Sequence, residues 1–292
     1  MSATPRLFLI DGHAYLYRAY HALPHLSSST GIPTNATLGF TTMLWKILRE
    51  ETPEYLGVVF DAPGPTFRHQ AFEAYKEHRP AMPSDLAEQI PWVKRTLEAF
   101  RIATLERPGY EADDLLAALA LRARGLVEVV LVTQDKDALQ LVGPRVRVMS
   151  LAGRAGERVT FDEAKVEERW GVAPDRIPDL LALTGDQVDN IPGVPGVGEV
   201  TAVKLLRQFG RLENLFQSLP LVANDKLRET LARHREQAFQ ARDLIRLADL
   251  PDLQVDLDQF RRQEPDWKAL QSLWEELQFS SLLKNVPGHG QP

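Results

Sequence analysis

The sequence predicts an α/β protein with a parallel central sheet flanked by helices, followed by a helical region. Short apolar segments alternate with segments of helical periodicity as far as residue 150. After residue 160 the periodic segments continue without further strands. The chain of 292 residues is long enough to bury a large core. Strands that alternate with helices are typical of a parallel sheet covered on both faces.

The predicted strands are short apolar runs bounded by charged residues or turn residues. They are rich in Val, Ile, Leu and Phe, which favours strands buried on both faces. They span residues 6–12, 55–64, 102–106, 127–135 and 146–150.

The predicted helices carry apolar residues three or four positions apart, which places these side chains on one face. In the first half they span residues 36–51, 85–100, 111–125 and 136–142, with a kink at Pro91 and an end at Gly125. In the second half they span residues 162–170, 175–184, 199–208, 211–218, 223–247 and 266–278. We therefore expect an α/β core at residues 1–172, a helical region at 173–285 and a tail at 286–292.

Composition limits the class of protein and its compartment. Cysteine is absent, which excludes disulfides and thiolate zinc sites. No apolar run approaches the ~18 residues of a membrane span, and the first residues lack the apolar core of a signal peptide. We therefore expect a cytoplasmic protein without membrane contact. The formal net charge of -6, taken alone, argues against a nucleic-acid partner. The acids are clustered, however, so the charge of each local segment is more informative about binding partners than the net charge.

Three aspartates follow apolar strands. Asp11, Asp61 and Asp135 each stand at the carboxyl end of a predicted strand. Ligand sites of parallel sheets lie outside the carboxyl ends of the strands. We therefore expect these three side chains to converge on one crevice.

Six further acids are grouped in the sequence. Glu111 and Asp114 are three residues apart on one helix face, and Asp186 and Asp189 repeat this spacing. Asp113 lies between Glu111 and Asp114, and Asp137 lies two residues after Asp135. Taken singly, each acid is explained as a helix cap or a solvated charge. Glu111, Asp113 and Asp114 also open a helix, where negative charge is favoured by about 0.3–1 kcal/mol each.

Acids that are gathered in one crevice require cations. Carboxylates at low solvation repel one another or take up protons. A set of oxygen ligands without Cys or His favours Mg²⁺ or Mn²⁺ over zinc. Two such ions about 3.5–4 Å apart can hold the attacking water and the leaving oxygen of a phosphodiester.

A glycine-rich segment, GVPGVGEVTAVKLL at 193–206, directly follows the last acid pair. It predicts a turn followed by a helix that opens near Gly198 or Glu199. Glycine lets the backbone approach a phosphate, and the free amides of a helix start point toward it. Most short Gly-x-Gly segments are ordinary turns, so the position after the acids is what indicates phosphate binding.

The interval 60–85 is too long for an ordinary connection between a strand and a helix. Basic and aromatic side chains are spaced along it, namely Phe67, Arg68, Phe72, Tyr75, Lys76 and Arg79. Such a segment is either a solvated amphipathic surface or an arch through which single-stranded nucleic acid passes. In the second case Lys76 could reach the scissile phosphate and neutralise charge in the transition state.

Taken together, these motifs resemble the bacterial 5′ nuclease family, which comprises the 5′-to-3′ exonuclease domain of DNA polymerase I and relatives of flap endonucleases. The resemblance runs in order from residue 6 to 285. It rests on LIDGHAYLYRAYHAL (9–23), TNATLGFTTML (34–44), FDAPGPTFRHQAFEAYKEHRP (60–80), PGYEADDLLAALA (108–120), TQDKDALQL (133–141) and LTGDQVDNIPGVPGVGEVTAVKLL (183–206).

The resemblance implies a PIN-like or resolvase-like 5′ nuclease fold with a helix-hairpin-helix at about 188–208 and an arch at about 62–90. It implies a metal-dependent enzyme with two or more Mg²⁺ or Mn²⁺ ions, and K⁺ at the hairpin. The substrates would be DNA, and RNA in RNA–DNA hybrids, at 5′ flaps, nicks and ends. Roles in replication, including removal of RNA primers, and in repair would follow. The expected protein is a bacterial, nucleoid-associated monomer that acts with a DNA polymerase I polymerase domain in cis or in trans.

The resemblance also carries residue roles. The nine acids match the family's metal-site carboxylates, and Lys76, Arg79, Arg68 and Tyr75 match its catalytic arch residues. Duplex contacts would come from Arg18, Gly193, Gly196, Val197, Gly198, Thr201 and Lys204.

Two positions depart from the family pattern, since Val200 and Pro195 stand where lysine is common. Both remove positive charge beside the duplex, so we expect weaker phosphate attraction with intact chemistry. One alternative is a nucleic-acid-binding paralogue without catalysis, but such a protein should lack some of the acids or Lys76. Another is a different metal-dependent enzyme, such as a phosphatase or an unrelated RNase, which would have no use for the hairpin or the basic interval.

Overall fold

The computed structural model describes residues 4–151 and 158–288. Its centre is a six-stranded sheet with the order β3-β2-β1-β4-β5-β6. The first five strands are parallel, and β6 runs antiparallel to β5. The strands are β1 (Arg6–Asp11), β2 (Tyr55–Val59), β3 (Ala103–Leu105), β4 (Glu128–Val132), β5 (Val146–Leu151) and β6 (Arg158–Phe161).

Fourteen helices occur in the described part of the chain. They are α1 (Gly12–Ala22), α2 (Asn35–Glu50), α3 (Phe67–Ala71), α4 (Ser84–Ala87), α5 (Ile90–Ala99), α6 (Ala112–Ala123), α7 (Glu163–Trp170), α8 (Ile177–Thr184), α9 (Glu199–Phe209), α10 (Leu212–Gln217), α11 (Asp225–Arg233), α12 (Arg235–Ile245), α13 (Trp267–Glu276) and α14 (Ser280–Leu283). Short 3₁₀ turns lie at Asp137–Leu141, Pro174–Arg176, Leu219–Leu221 and Leu257–Phe260.

The sheet separates two hydrophobic layers. Phe8 and Ile10 of β1 face a layer that contains residues of α1, α2, α5 and α13. Leu7 and Leu9 face the other layer, which contains residues of α6, α8 and α12. Because successive strand residues point to opposite faces, a strand covered on both sides is apolar throughout. The predicted α/β class with helices on both faces is confirmed.

The predicted elements differ from the observed ones in a few places. The helix predicted at 85–100 is two helices, and Pro91 lies in the first turn of α5, where its missing amide hydrogen costs nothing. The helix predicted at 223–247 is divided at His234 into α11 and α12. Sequence patterns missed α1, because it follows β1 directly and its N-cap, Asp11, is the last residue of that strand. They also missed α14 and the half-buried β6.

The predicted tail at 286–292 lies mainly outside the described residues, which end at 288. Among the helices that are described, none combines the length and the apolar character required to cross a membrane.

Candidate active site and metal centre

Three strand-end aspartates meet at the carboxyl edge of the sheet. Strand β1, which ends at Asp11, lies between β2 and β4, and Asp61 and Asp135 follow those two strands by two and three residues. Asp11 caps α1, and its Oδ1 accepts a hydrogen bond from the Ala14 amide at 2.9 Å. Its Oδ2 accepts from the Thr133 hydroxyl at 2.9 Å. All three aspartates line one cleft of about 1240 Å³.

Asp113, from the first turn of α6, completes what we call the first acidic group: Asp11, Asp61, Asp113 and Asp135. Burial, and then the charges of Asp135, Asp11 and Asp61, raise the pKa of Asp113 well above its ordinary value. Its Oδ1 is buried and has no hydrogen-bond partner among the described residues. Burial likewise raises the pKa of Asp11 to about 6, with Asp61 and Asp135 adding to the effect. The group therefore concentrates negative charge that its own hydrogen bonds do not neutralise.

Asp61 is the member of this group that the protein already stabilises in its charged form. Burial acts to raise the pKa of Asp61, but contacts with His13 and with the Ala112 amide outweigh burial and lower it. Oδ1 of Asp61 accepts from the Ala112 amide at 2.8 Å, and Oδ2 lies 3.2 Å from Nδ1 of His13.

A second acidic group consists of Asp137, Asp186 and Asp189. All three are buried, and one oxygen of each lies within 4.8 Å of the other two. Burial, and then the charge of Asp135, raises the pKa of Asp137 well above its ordinary value. Burial also raises the pKa of Asp189, and the charge of Asp135 acts in the same direction. The charge of Asp135 therefore reaches both acidic groups.

Local backbone structure brings the second group together. Asp186 and Ile191 exchange two backbone hydrogen bonds, at 2.8 and 2.7 Å, which fold the loop between them into a narrow hairpin. The Lys76 amide donates to the Asp189 carbonyl at 3.1 Å, and the Asn190 side chain donates to the Ala74 carbonyl at 2.7 Å. The loop that carries Asp186 and Asp189 is therefore tied to the basic interval.

Two residues of the basic interval, Tyr75 and Lys76, connect Glu111 to Asp189 of the second acidic group. Its Oε1 pairs with Lys76 Nζ at 2.8 Å, and its Oε2 accepts from the Tyr75 hydroxyl at 3.0 Å. The same hydroxyl lies 3.2 Å from Asp189 Oδ2, and Lys76 Nζ lies 3.6 Å from that oxygen. Tyr75 and Lys76 thus each contact both Glu111 and Asp189.

Arg68 and Asp114 form a buried ion pair with each other, and Nη1 of Arg68 also lies 3.4 Å from Oε2 of Glu111. Arg68 is 2% exposed, and its two terminal nitrogens each lie 2.7 Å from an oxygen of Asp114. Arg68 also donates to the carbonyls of Leu244 and Arg246 at 2.7 and 3.0 Å. Asp114 accepts in addition from the Ala248 amide at 2.8 Å. The catalytic role expected for Arg68 and the metal-binding role expected for Asp114 stay predictions, whereas in the structure this pair joins α3 and α6 to the end of α12 and the chain after it.

Replacing Arg68 with methionine is expected to destabilise the fold by about 3–5 kcal/mol, because it leaves the carboxylate of Asp114 buried without its partner. Urea denaturation of the full chain measures this loss. Adding Asp114→Asn should restore part of the stability, since the uncompensated charge is then gone. Arg95→Met removes an exposed arginine that pairs with Glu276 at 3.4 Å, so it should change stability by no more than about 1 kcal/mol. Equal losses in the two single variants would contradict the assignment.

The basic interval is also more compact than the predicted arch. It folds into α3, a series of turns and α4, and the side chain of Tyr75 is buried in the core. Its phenol and the Arg68 guanidinium point toward acids instead of lining an open passage. Arg79 remains half exposed, with Nη2 3.7 Å from Asp189 Oδ1. Together with Lys76 and Arg18 it lines the cleft.

The predicted hairpin lies between α8 and α9. A Cβ atom at Gly193 would lie 2.3 Å from the Gly185 amide nitrogen, so this glycine allows two chain segments to cross. Val197 is buried, whereas Gly196, Gly198 and Lys204 are exposed and Thr201 is half-buried. Gly198 is the N-cap of α9, and the first amides of a helix have no partner within it. The exposed backbone around Gly198 is therefore free to contact a phosphate. The side chain of Val197 is buried and cannot make such a contact.

Three residues of the site were not singled out from the sequence. Thr133 holds Asp11, and His13 holds Asp61 through contacts at Oδ2 and at the Asp61 amide, 3.0 Å away. Lys136 pairs with Asp186 at 2.8 Å. All three lie within two positions of a predicted acid, and this proximity in sequence could have indicated them. Which acid each side chain contacts depends on the fold.

Protonation of Asp11 should make the metal-free protein more stable toward acid. The folded state binds this proton more tightly than the unfolded state, since burial raises the pKa from 3.8 to about 6. The stabilising contribution is fully present below pH 3.8 and is lost as the pH rises through about 6, a change of about 3 kcal/mol. In chelator, wild type should therefore lose stability relative to Asp11→Asn over this window. Parallel stability curves for the two proteins would contradict this, and Mg²⁺ should reduce the difference.

Comparisons with known proteins identify the family. Two family models match consecutive parts of the chain: the 5′-3′ exonuclease N-terminal resolvase-like domain at residues 6–171, and the 5′-3′ exonuclease C-terminal SAM fold at residues 172–268. The chain belongs to the 5′-3′ exonuclease family. It is thus a member of a family of nucleases, as the sequence motifs predicted.

Curated relatives of this exonuclease-family chain support the same family assignment. The 5′-3′ exonuclease of Aquifex aeolicus is 38% identical over 282 residues, which cover 96% of this chain and 94% of that protein. DNA polymerase I of Bacillus caldotenax is 43% identical over 282 residues, which cover 96% of this chain and 32% of the polymerase. The chain therefore spans about a third of the length of that polymerase.

A solved structure shows the same fold. The flap endonuclease of bacteriophage T5, in a pseudo-enzyme-product complex with DNA and metal ions, superimposes with a TM-score of 0.68. The sequences are 20% identical, and the match covers 96% of this chain and 97% of that one. The predicted resolvase-like 5′ nuclease fold is confirmed.

Proposed function

We propose that this exonuclease-family protein is a structure-specific 5′ nuclease that uses divalent metal ions to hydrolyse DNA, and RNA in hybrids, near 5′ flaps, nicks and 5′ ends. The observation that carries the proposal is the gathering of two acidic groups at one edge of the sheet, within range of the charge of Asp135. Buried carboxylates that raise one another's pKa are costly unless cations offset their charge.

The donor set fits hard divalent ions. Each acidic group consists only of carboxylates, and each contains a buried oxygen without a hydrogen-bond partner among the described residues, on Asp113 and on Asp137. Oxygen ligands of this kind suit Mg²⁺ or Mn²⁺. We propose that the first group holds one ion and the second group another, with Glu111 at their rim. When bound, such ions activate water and stabilise the leaving oxygen of a phosphodiester.

Residues of the chain itself would bind and orient the substrate. Lys76 and Arg79 present positive charge beside the acids, where the scissile phosphate would enter the cleft. Arg18 and Lys46 line the same cleft and extend the positive surface away from the acids. The exposed amides around Gly198 would hold the duplex backbone, as helix starts bind phosphate, and K⁺ could support that contact.

A role in replication and repair, including removal of RNA primers, belongs to the same proposal. Its support is the similarity to relatives named DNA polymerase I, of which this chain matches about a third. A polymerase domain, in cis or in trans, would be the partner. We further propose a monomer that acts in the bacterial cytoplasm at the nucleoid.

A DNA-binding paralogue without catalysis is the second candidate. The acids of both groups, Glu111 and Lys76 are all present and lie together, which favours catalysis. Incubation with a 5′-flap duplex, in Mg²⁺ and in chelator, separates the two. Cleavage near the junction only with metal is the expected result. Binding without cleavage in either condition would instead identify the paralogue.

Val200→Lys is expected to strengthen duplex binding and steepen its dependence on salt. The valine side chain is 70% exposed in the first turn of α9, so a lysine there would lie beside the duplex. One additional phosphate contact changes the slope of log affinity against log salt by about 1. Leu126→Lys, at another exposed apolar position, is the matched control and should leave the slope unchanged. An unaltered slope for Val200→Lys would place the duplex elsewhere.

A further inference from the structure

Lys136 lies inside the acid-rich segment, between Asp135 and Asp137, and the proposed reaction does not use it. It directly precedes the 3₁₀ turn Asp137–Leu141. Its Nζ lies 2.8 Å from Oδ1 of Asp186. Because Asp186 belongs to the second acidic group, the lysine places a positive charge within hydrogen-bond distance of a carboxylate that a divalent ion would use.

The ion pair between Lys136 and Asp186 is suited to replacement of the lysine by a metal ion. The Lys136 side chain is 29% exposed, whereas that of Asp186 is 4% exposed, so the ammonium can turn to solvent while the carboxylate stays in place. The position of Asp186 is maintained independently, since its Oδ1 also accepts from the Val188 amide at 3.0 Å. Departure of the lysine would therefore make the Asp186 carboxylate available to an ion without dismantling the loop.

The charges of the second group support such an exchange. Its three carboxylates carry three negative charges when ionised, and Lys136 offsets one of them. Lys76 also lies near the group, with Nζ 3.6 Å from Asp189 and 2.8 Å from Glu111. A divalent ion that enters the group meets the repulsion of Lys136 as well as competition for Asp186.

We propose that Lys136 is an internal competitor of the divalent ion at the second acidic group, pairing with Asp186 in the metal-free protein and released when the ion binds. The inference rests on the proposed metal-dependent function. It implies that the two acidic groups differ in affinity for ions, because the lysine lowers the affinity of the second group. It also implies that Lys136 stabilises the metal-free fold, because without it the three carboxylates have lost a neutralising partner.

Direct titration of the full chain with Mn²⁺, without DNA, tests the inference by calorimetry and by the electron paramagnetic resonance signal of free Mn²⁺. Lys136→Met should bind one class of ion at least about tenfold more tightly than wild type, because a unit charge within hydrogen-bond distance of a ligand has been removed from a partly buried site. Lys136→Gln should also raise the affinity for Mn²⁺. This variant replaces the methionine variant in the test if Lys136→Met fails to fold. Anomalous scattering from crystals soaked at a subsaturating Mn²⁺ concentration should show higher ion occupancy at Asp137, Asp186 and Asp189 in the variant than in wild type.

Two controls separate competition from other effects of the substitution. Lys136→Arg retains the positive charge and should keep wild-type affinity. Lys268→Met removes an exposed lysine of α13 and should also leave affinity unchanged. Thermal unfolding gives a second readout: Lys136→Met should melt below wild type in chelator and regain the difference in Mn²⁺.

The outcomes distinguish this inference from the proposed function. If wild type binds Mn²⁺ and Lys136→Met binds it equally or more weakly, the competition is refuted while the metal-dependent function stands. If wild type binds no Mn²⁺ at all, the metal requirement is refuted and the inference falls with it.

Discussion

Asp135→Ala is expected to abolish cleavage of a 5′-flap substrate, with a loss of at least about 10³-fold in the single-turnover rate, since charge stabilisation in the transition state is the largest catalytic contribution in such sites. After burial, the charge of Asp135 is the largest cause of the raised pKa of Asp113 in the first acidic group and of Asp137 in the second. Its removal therefore disturbs both proposed ion sites at once. Asp61→Ala should have a comparable effect through the first group alone.

DNA binding separates this effect from a loss of structure. Both variants should keep much of the wild-type binding to the flap duplex, because the basic side chains of the cleft and the exposed amides around Gly198 are unchanged. Asp258→Ala, at an exposed aspartate paired with Arg261 at 3.0 Å, is the control and should cleave normally. Wild-type turnover by either site variant would refute the assignment of the acidic groups as the catalytic centre.

Lys76→Ala should slow the chemical step by about 10²–10³-fold, the range observed when one preorganised donor to the transition state is removed. The ammonium lies 2.8 Å from Glu111 and 3.6 Å from Asp189, at the side of the cleft where the scissile phosphate would bind. It is therefore placed to offset charge that develops on the phosphate oxygens. Single-turnover kinetics with enzyme in excess isolate this step from product release.

Lys94→Ala provides a matched control for this variant. Lys94 also pairs with a glutamate at 2.8 Å, but both side chains are about half exposed and lie outside the acidic groups. Its removal should leave the rate unchanged. If Lys76→Ala cleaves at the wild-type rate and only binds DNA more weakly, the lysine serves in substrate capture and not in the chemical step.

Much of this site follows from the sequence, because parallel strands present their carboxyl ends at one edge of a sheet. An aspartate after each of three apolar runs was enough to predict convergence, and β1 does lie between β2 and β4. Strand and helix periodicities likewise predicted the α/β class. Local patterns were less informative for polar segments such as β6, where burial of side chains is only partial.

The sequence by itself determined the supply of acids, the order of strands and helices along the chain, and the edge of the sheet at which the acids collect. Only the tertiary structure decided how the charges pair: Arg68 turned inward to Asp114, Tyr75 became buried between two acids, and Lys136 reached Asp186. Periodicity reports which face of an element is apolar, whereas an ion pair depends on the distance and burial of two groups far apart in the chain. Those quantities arise only when the layers pack together.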